Sequence, residues 1–336
     1  MGGSLIVSSQ WRTLRKIMNS HIFSVHNLDV SKHLRCEKDQ ELIDYCRKRG
    51  QNCEAVDIGR ATFRTSLNLL SNTVFSKDLT DPFSDTAKEF KELVNYFPFL
   101  QRIDPQGIRR RRKNHFTMVL QLMSGLIDER LKERTDTTSN TLEWAMAELL
   151  KNPHTLEKAQ EELEQVIDRG KLIDEADVAN YLYFRCIVKE TFRIRPQAPF
   201  LVRHKAVEDV EFCGYIIPKD SLVLVNVWAI GRDSSLWEDP LDFKSERFGD
   251  SEISVRGQDF ELIPFDAGRR ICPELPLAIR MIPVALGSLL NTFNWKLPSG
   301  IAPKDLDMEE NFGITLAKAQ PLLVVPICCN KLEILG

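Results

Sequence analysis

One of the eight cysteines in this 336-residue chain stands in a setting suited to chemistry. Cys272 stands near the end of the run Pro264-Phe265-Asp266-Ala267-Gly268-Arg269-Arg270-Ile271-Cys272-Pro273, and a strongly apolar stretch, 275–293, follows it. A stretch of that length reads as a buried helix. The unpaired N–H groups at its start carry partial positive charge and favour a thiolate there. Gly268 permits a tight turn that projects no side chain, and Arg269 and Arg270 offer donors to a dianionic partner. A planar anionic cofactor with a thiolate-ligated metal fits this set, and haem iron is the obvious candidate. On spacing alone, a buried structural cysteine behind a basic loop is the simpler reading.

The other cysteines lie at 36, 46, 53, 186, 213, 328 and 329. None makes a C-x-x-C pair or zinc-finger spacing, and Met1–Ser8 carries no secretory pattern. A reducing compartment and mostly buried, inert thiols are expected. Glu190 and Arg193, spaced i, i+3, share a helix face, where a weak surface ion pair is the default. Thr135 and Asp136 are good N-caps for the helix that follows. The basic run Arg109–Lys113 reads as an exposed helix start and lacks the interleaved aromatics that stack on bases.

These residues must be carried by elements legible in the rest of the chain. A hydrophobic fraction of 43% and a charged fraction of 28% are those of a globular protein of one large or two smaller domains. The 45 basic and 48 acidic residues leave a net charge of −3, which excludes nucleic-acid binding driven by net charge. No run approaches the ~18 apolar residues of a spanning helix. Helical spacing predicts helices over 105–133, 137–151, 154–169 (with Leu156, Leu163, Val166 and Ile167 inward) and 181–193. Short β-like runs are expected at Phe200–Val202, Val210–Phe212 and Leu222–Val225, and in the tail at Leu322–Ile327. A coil over 231–270 separates the sheet region from the apolar helix.

Phe265-x-x-Gly268-x-Arg270-x-Cys272 resembles the haem-binding signature of the cytochrome P-450 monooxygenases. Further segments resemble that family in its order: Trp11-x-x-x-Arg15, Thr135-Asp136-Thr137-Thr138, Glu190-x-x-Arg193 and Ser245-Glu246-Arg247-Phe248. The surrounding text, such as Asn226–Asp233, is similar to plant microsomal members, above all the subfamily of geraniol and related terpenoid hydroxylases. The resemblance implies one mainly α (α+β) domain over 1–336: a helical body, small β-sheets, and a cysteine-ligand loop before a long core helix.

It implies a haem cofactor with Cys272 as axial ligand. Arg270, His204, Trp11 and Arg15 would hold the propionates, and Phe265 and Gly268 would shape the loop. Asp136 and Thr137 would deliver protons to bound dioxygen. Glu190, Arg193 and Arg247 would form a buried structural triad. The implied reaction inserts one oxygen of O2 into a small apolar plant metabolite, such as a monoterpenoid, with electrons from NADPH through a flavoprotein reductase. The implied location is the cytosolic face of the endoplasmic reticulum membrane.

Against the family pattern, the chain starts at the tryptophan-bearing helix, so the anchor and first sheet segments are expected to be absent. Residues are expected to be missing between Val94 and Asn95 and between Arg134 and Thr135. Glu133-Arg134 replaces small residues, and Glu274 stands where the signature has glycine, adding like charge beside the thiolate. These departures leave a second expectation open, a non-catalytic remnant that does not bind haem productively.

Overall fold

The computed structural model describes residues 9–75, 78 and 137–328. The expected helix over 105–133, the basic run, Asp136 and the junctions at Val94 and Arg134 lie outside the described residues. In chain order the elements begin with α1 (Ser9–Ile17), α2 (Val25–Val30), α3 (Lys32–Gln51), β1 (Val56–Asp57) and α4 (Ile58–Phe75). Then come α5 (Thr137–Lys151), α6 (Pro153–Val166), α7 (Leu182–Ile194), β2 (His204–Lys205), β3 (Val210–Phe212), β4 (Tyr215–Ile217), β5 (Leu222–Val223) and α8 (Val227–Ile230). The chain closes with α9 (Leu275–Thr292), β6 (Phe293–Lys296), β7 (Glu310–Phe312), β8 (Leu316–Lys318) and β9 (Leu323–Cys328).

The core forms where α5 runs between α4, α7 and α9. From Ser139 to Leu150 every residue of α5 is buried, so its apolar positions face neighbours on all sides rather than along one stripe. Leu142, Met146 and Leu149 join Phe184 and Ile187 of α7 and Leu286, Leu289 and Leu290 of α9 in one continuous cluster. Asn152 leaves helical geometry at φ −118°, and Pro153 opens α6, where its missing N–H costs nothing. The N-terminus of α7 is capped from a distance: the Glu162 carboxylate accepts the N–H groups of Tyr183 and Phe184, each at 2.8 Å.

Four expectations change. The α6 helix stops at Val166, and Ile167 is extended, so Val166 is exposed while Leu163 is buried. Phe200–Val202 is not a strand: Leu201 takes φ +50°, and its N–H closes a turn on Ala198. Of the seven described cysteines, none in a disulfide, only Cys46 and Cys186 are buried, and Cys53 and Cys213 are exposed. Finally, α9 is 18 residues long and apolar enough to cross a membrane by length and composition. It is nevertheless 78% buried inside the fold, where it serves as a core helix.

The sheets are small and antiparallel. In the largest, β9 lies between β1 and β6, pairing Val324 with Val56 and Pro326 with Trp295. The β3–β4 hairpin turns through Cys213 and Gly214, both at positive φ, as a two-residue turn with matching twist requires. The other two sheets pair β2 with β5 and β7 with β8.

Candidate functional site

The segment before α9 folds back on itself through local hydrogen bonds. The Asp266 N–H donates to the Ile263 carbonyl at 3.1 Å, and a 3-10 turn spans Gly268–Arg270. The Cys272 N–H then donates to the Phe265 carbonyl at 2.7 Å, which closes the loop. Asp266 and Gly268 take φ +66° and +57°, conformations that glycine adopts easily and aspartate adopts at a cost. A β-carbon on Gly268 would meet nothing within 4 Å, so this side of the loop faces open space.

Cys272 is held at the entry of α9, its carbonyl accepting the Leu275 N–H at 3.3 Å. Its sulfur is part-buried, and the N–H groups of Glu274 and Leu275 are directed at it. Burial, and after it the Glu274 carboxylate, push the thiol above its ordinary value. The two backbone N–H groups and the Arg15 charge pull the other way without prevailing.

The expected partners come from α1, from β2 and from the loop itself. Arg15 reaches over from α1 to donate to the Ile271 carbonyl, and its guanidinium lies 5.9 Å from the Trp11 ring centre. Its Nε is buried with no hydrogen-bond partner among the described residues. Arg270 Nη2 donates to the Arg203 carbonyl at 2.8 Å, tying the loop to the strand that carries His204. His204 Nε2 and Asp266 Oδ2 are 3.3 Å apart, yet neither atom makes a hydrogen bond of acceptable angle, and both are buried. Phe265 packs edge-on against Phe192 of α7, with ring centres 5.1 Å apart.

Thr137 is the exposed first residue of α5, and its carbonyl accepts from the Thr141 hydroxyl at 2.7 Å. It takes no part in the hydrogen bonds of the cysteine loop.

Behind the loop, Glu190 and Arg193 on α7 are fully buried and pair bidentately, at 2.7 and 2.8 Å. Arg247 Nε reaches Glu190 Oε1 at 3.1 Å, and the Lys244 N–H donates to the same oxygen at 2.8 Å. Arg193 also donates to the carbonyls of Gly231, Pro240 and Asp242. The triad that the family resemblance implies is therefore assembled and buried, unlike the surface pair that spacing alone suggests.

Two residues, one facing His204 and one elsewhere in the fold, were not singled out by sequence reasoning. Asp266 faces His204, and its one signal was an aspartate in a tight-turn slot. Glu310, in β7, gathers Arg195, Arg232 and Trp228 from three separate segments, and nothing in its local sequence announces that.

The residues present fit a thiolate-ligated haem. Arg15 Nε is buried without a hydrogen-bond partner among the described residues, His204 Nε2 has only the Asp266 carboxylate 3.3 Å away, and the loop opens to free space at Gly268. A part-buried sulfur lies at a helix start with backbone N–H groups aimed at it.

Comparison with known proteins agrees. The cytochrome P450 family model matches residues 132–324. The chain is 55% identical to geraniol 8-hydroxylase of Catharanthus roseus over 375 aligned positions, covering 96% of this chain and 76% of the relative. It is likewise 55% identical to geraniol 8-hydroxylase of Swertia mussotii, with the same coverage of each. An alignment of 375 positions is longer than the 336 residues here, so the first relative carries internal positions with no counterpart in this chain. A crystal structure of a cytochrome P450 superposes with a TM-score of 0.75 at 19% identity, covering 96% of this chain and 83% of that one, and shows the shared fold. From loop, helix and relatives together, this chain belongs to the cytochrome P450 family, as a plant monooxygenase of the terpenoid hydroxylase subfamily whose cofactor is a thiolate-ligated haem.

Proposed function

We propose that this chain hydroxylates a small monoterpenoid alcohol, inserting one atom of O2 while the other leaves as water, with two electrons from NADPH delivered through a flavoprotein reductase. The observation that carries the reading is the Cys272 sulfur, part-buried at the start of α9 with two backbone N–H groups directed at it. The 55% identity to two geraniol 8-hydroxylases supports the substrate class.

When bound, a thiolate-ligated haem supplies oxygen activation, which the thiolate promotes by electron donation. The chain's own residues hold and shelter it. Cys272 would be the ligand, and Arg15 and His204 would hold its carboxylates, with Trp11 and Arg270 beside them. Phe265 braces the loop against α7, and Gly268 leaves room for the ring. Thr137 offers its hydroxyl at the start of α5 as a proton partner, and Asp136 replenishes it. Residues 1–336 act as one domain, on the cytosolic face of the endoplasmic reticulum membrane. The exposed Phe212, Tyr215 and Ile216 of the β3–β4 hairpin suit such a surface.

The test supplies haem, reductase, NADPH and geraniol to the purified chain and identifies products by mass spectrometry. Oxygen- and NADPH-dependent hydroxygeraniol supports the reading; its absence from haem-loaded protein refutes this substrate class. One observation favours a second reading, a chain that does not hold haem productively: burial and Glu274 together push the Cys272 thiol up. If that reading holds, haem binds poorly to the native chain and the reduced carbon monoxide spectrum lacks the thiolate band.

A further inference from the structure

Within the run Pro264–Pro273, the carboxylate of Asp266 has no part in the chemistry described so far. Asp266 is 8% exposed, and its Oδ2 makes no hydrogen bond among the described residues. A buried carboxylate oxygen without a donor is expensive, so its position calls for a reason. Opposite it, 3.3 Å away, stands His204 Nε2, also buried and also without an acceptable hydrogen bond. Two orphaned atoms of complementary chemistry thus face each other in poor alignment.

Neither side chain can simply turn away. Asp266 Oδ1 accepts the Ala267 N–H at 2.7 Å, which tethers the carboxylate by its other oxygen. The backbone beneath it stands at φ +66°, with its N–H bonded to the Ile263 carbonyl. That backbone is packed against Gly257, where a β-carbon would lie 2.8 Å from the Asp266 carbonyl oxygen. On the facing side, His204 pairs with Val223 across β2 and β5, and Lys205 Nζ lies 2.7 Å from Asp220 Oδ1. Arg270 ties this strand to the loop through the Arg203 carbonyl.

We infer that Asp266 is a built-in competitor for His204: its tethered carboxylate occupies the side of the imidazole that a haem carboxylate would take, and so sets how tightly the chain keeps its cofactor. This rests on the function proposed above and concerns how the site is loaded rather than the oxygen chemistry. The Nε2 atom offers one N–H, which serves one strong acceptor at a time. A tethered acceptor acts at high effective concentration, so an incoming carboxylate displaces it only with a loss of affinity. Once displaced, Asp266 stays beside the incoming group as a like charge, which adds to that loss. Asp266 is therefore a positioning residue: it holds the imidazole of the haem-free chain and loosens the grip of the loaded one.

The test titrates haem into the purified chain and follows the Soret band, comparing native protein with Asp266→Asn, with His204→Gln and with the double variant. Asparagine tolerates positive φ and keeps an oxygen for the Ala267 N–H while removing the charge. Asp266→Asn is expected to tighten haem binding about fivefold or more. In the His204→Gln background the same change should gain less than about twofold, because the contested donor is gone. A merely structural role for Asp266 predicts the opposite sign, a looser loop and weaker haem. Unchanged or weaker affinity in Asp266→Asn, or an equal gain in the His204→Gln background, overturns the inference. Should Asp266→Asn fail to fold, Asp266→Gly, which suits φ +66°, decides by the same criteria. A native chain that takes up haem without the thiolate band refutes the proposed function, while the affinity comparison still judges Asp266. No haem uptake by the native chain or by either Asp266 variant overturns both.

Discussion

Replacing Glu190 by alanine tests the packing behind the site. It deletes an acceptor shared by Arg193 Nε and Nη2, Arg247 Nε and the Lys244 N–H, at 2.7, 2.8, 3.1 and 2.8 Å. Arg193 is left fully buried with its charge uncompensated, a situation that costs about 3–5 kcal/mol. The carbonyls of Gly231, Pro240 and Asp242 still accept from Arg193, which places the expected loss near the lower end, about 3 kcal/mol. Against a total stability of roughly 5–15 kcal/mol, that is a large fraction. Arg247 is different, because its side chain is 10% exposed and its bonds to Glu238 and Asp239 are at the surface. Arg247→Ala should therefore cost only about 1–1.5 kcal/mol. Urea unfolding followed by far-ultraviolet circular dichroism gives both values, provided the slope with denaturant is unchanged. A loss under about 1 kcal/mol for Glu190→Ala, or one no larger than that of Arg247→Ala, would refute the buried-charge argument.

Three further outcomes follow from the same structure. Burial, and after it the Glu175 carboxylate, raise Asp39 to about 8, with Arg35 opposing, so the folded state holds a proton there that the unfolded chain releases near pH 4. Stability should fall as pH rises from about 4 to about 8 and then level, and Asp39→Asn should flatten that slope in unfolding measured across pH. Gly231→Ala places a β-carbon against the backbone carbonyl oxygen of Arg193, which cannot swing away, and thermal unfolding should show a loss of about 1–3 kcal/mol; a neutral result would contradict the packing. In thiol labelling of the native chain, exposed Cys53 and Cys213 should react quickly while Cys46, pushed up to about 12 by burial, stays unlabelled until unfolding.

Local chemistry was the part of this molecule that its sequence disclosed most fully. The α5 bounds follow from helical spacing closed by Asn152-Pro153, and the cysteine loop follows from a glycine, arginines and an apolar helix read in order. The i, i+3 spacing put Glu190 and Arg193 on one face, but their burial depends on carbonyls from the distant coil, which no periodicity encodes. The same limit explains Leu201, whose positive φ is set by the turn around it rather than by its β-branched and aromatic neighbours. Cysteine type was a poor guide to burial, since Cys213 occupies a hairpin turn. Glu310 and Asp266 were missed for one reason: each acquires its role from partners far away in the chain.

The central claim, that Cys272 binds haem iron as a thiolate, is tested most directly by the carbon monoxide spectrum of the reduced, haem-loaded chain. The account predicts the red-shifted Soret band of thiolate ligation in the native protein and its loss in Cys272→Ser. A native chain without that band even after Glu274→Gly, or a Cys272→Ser variant that keeps it, contradicts the account.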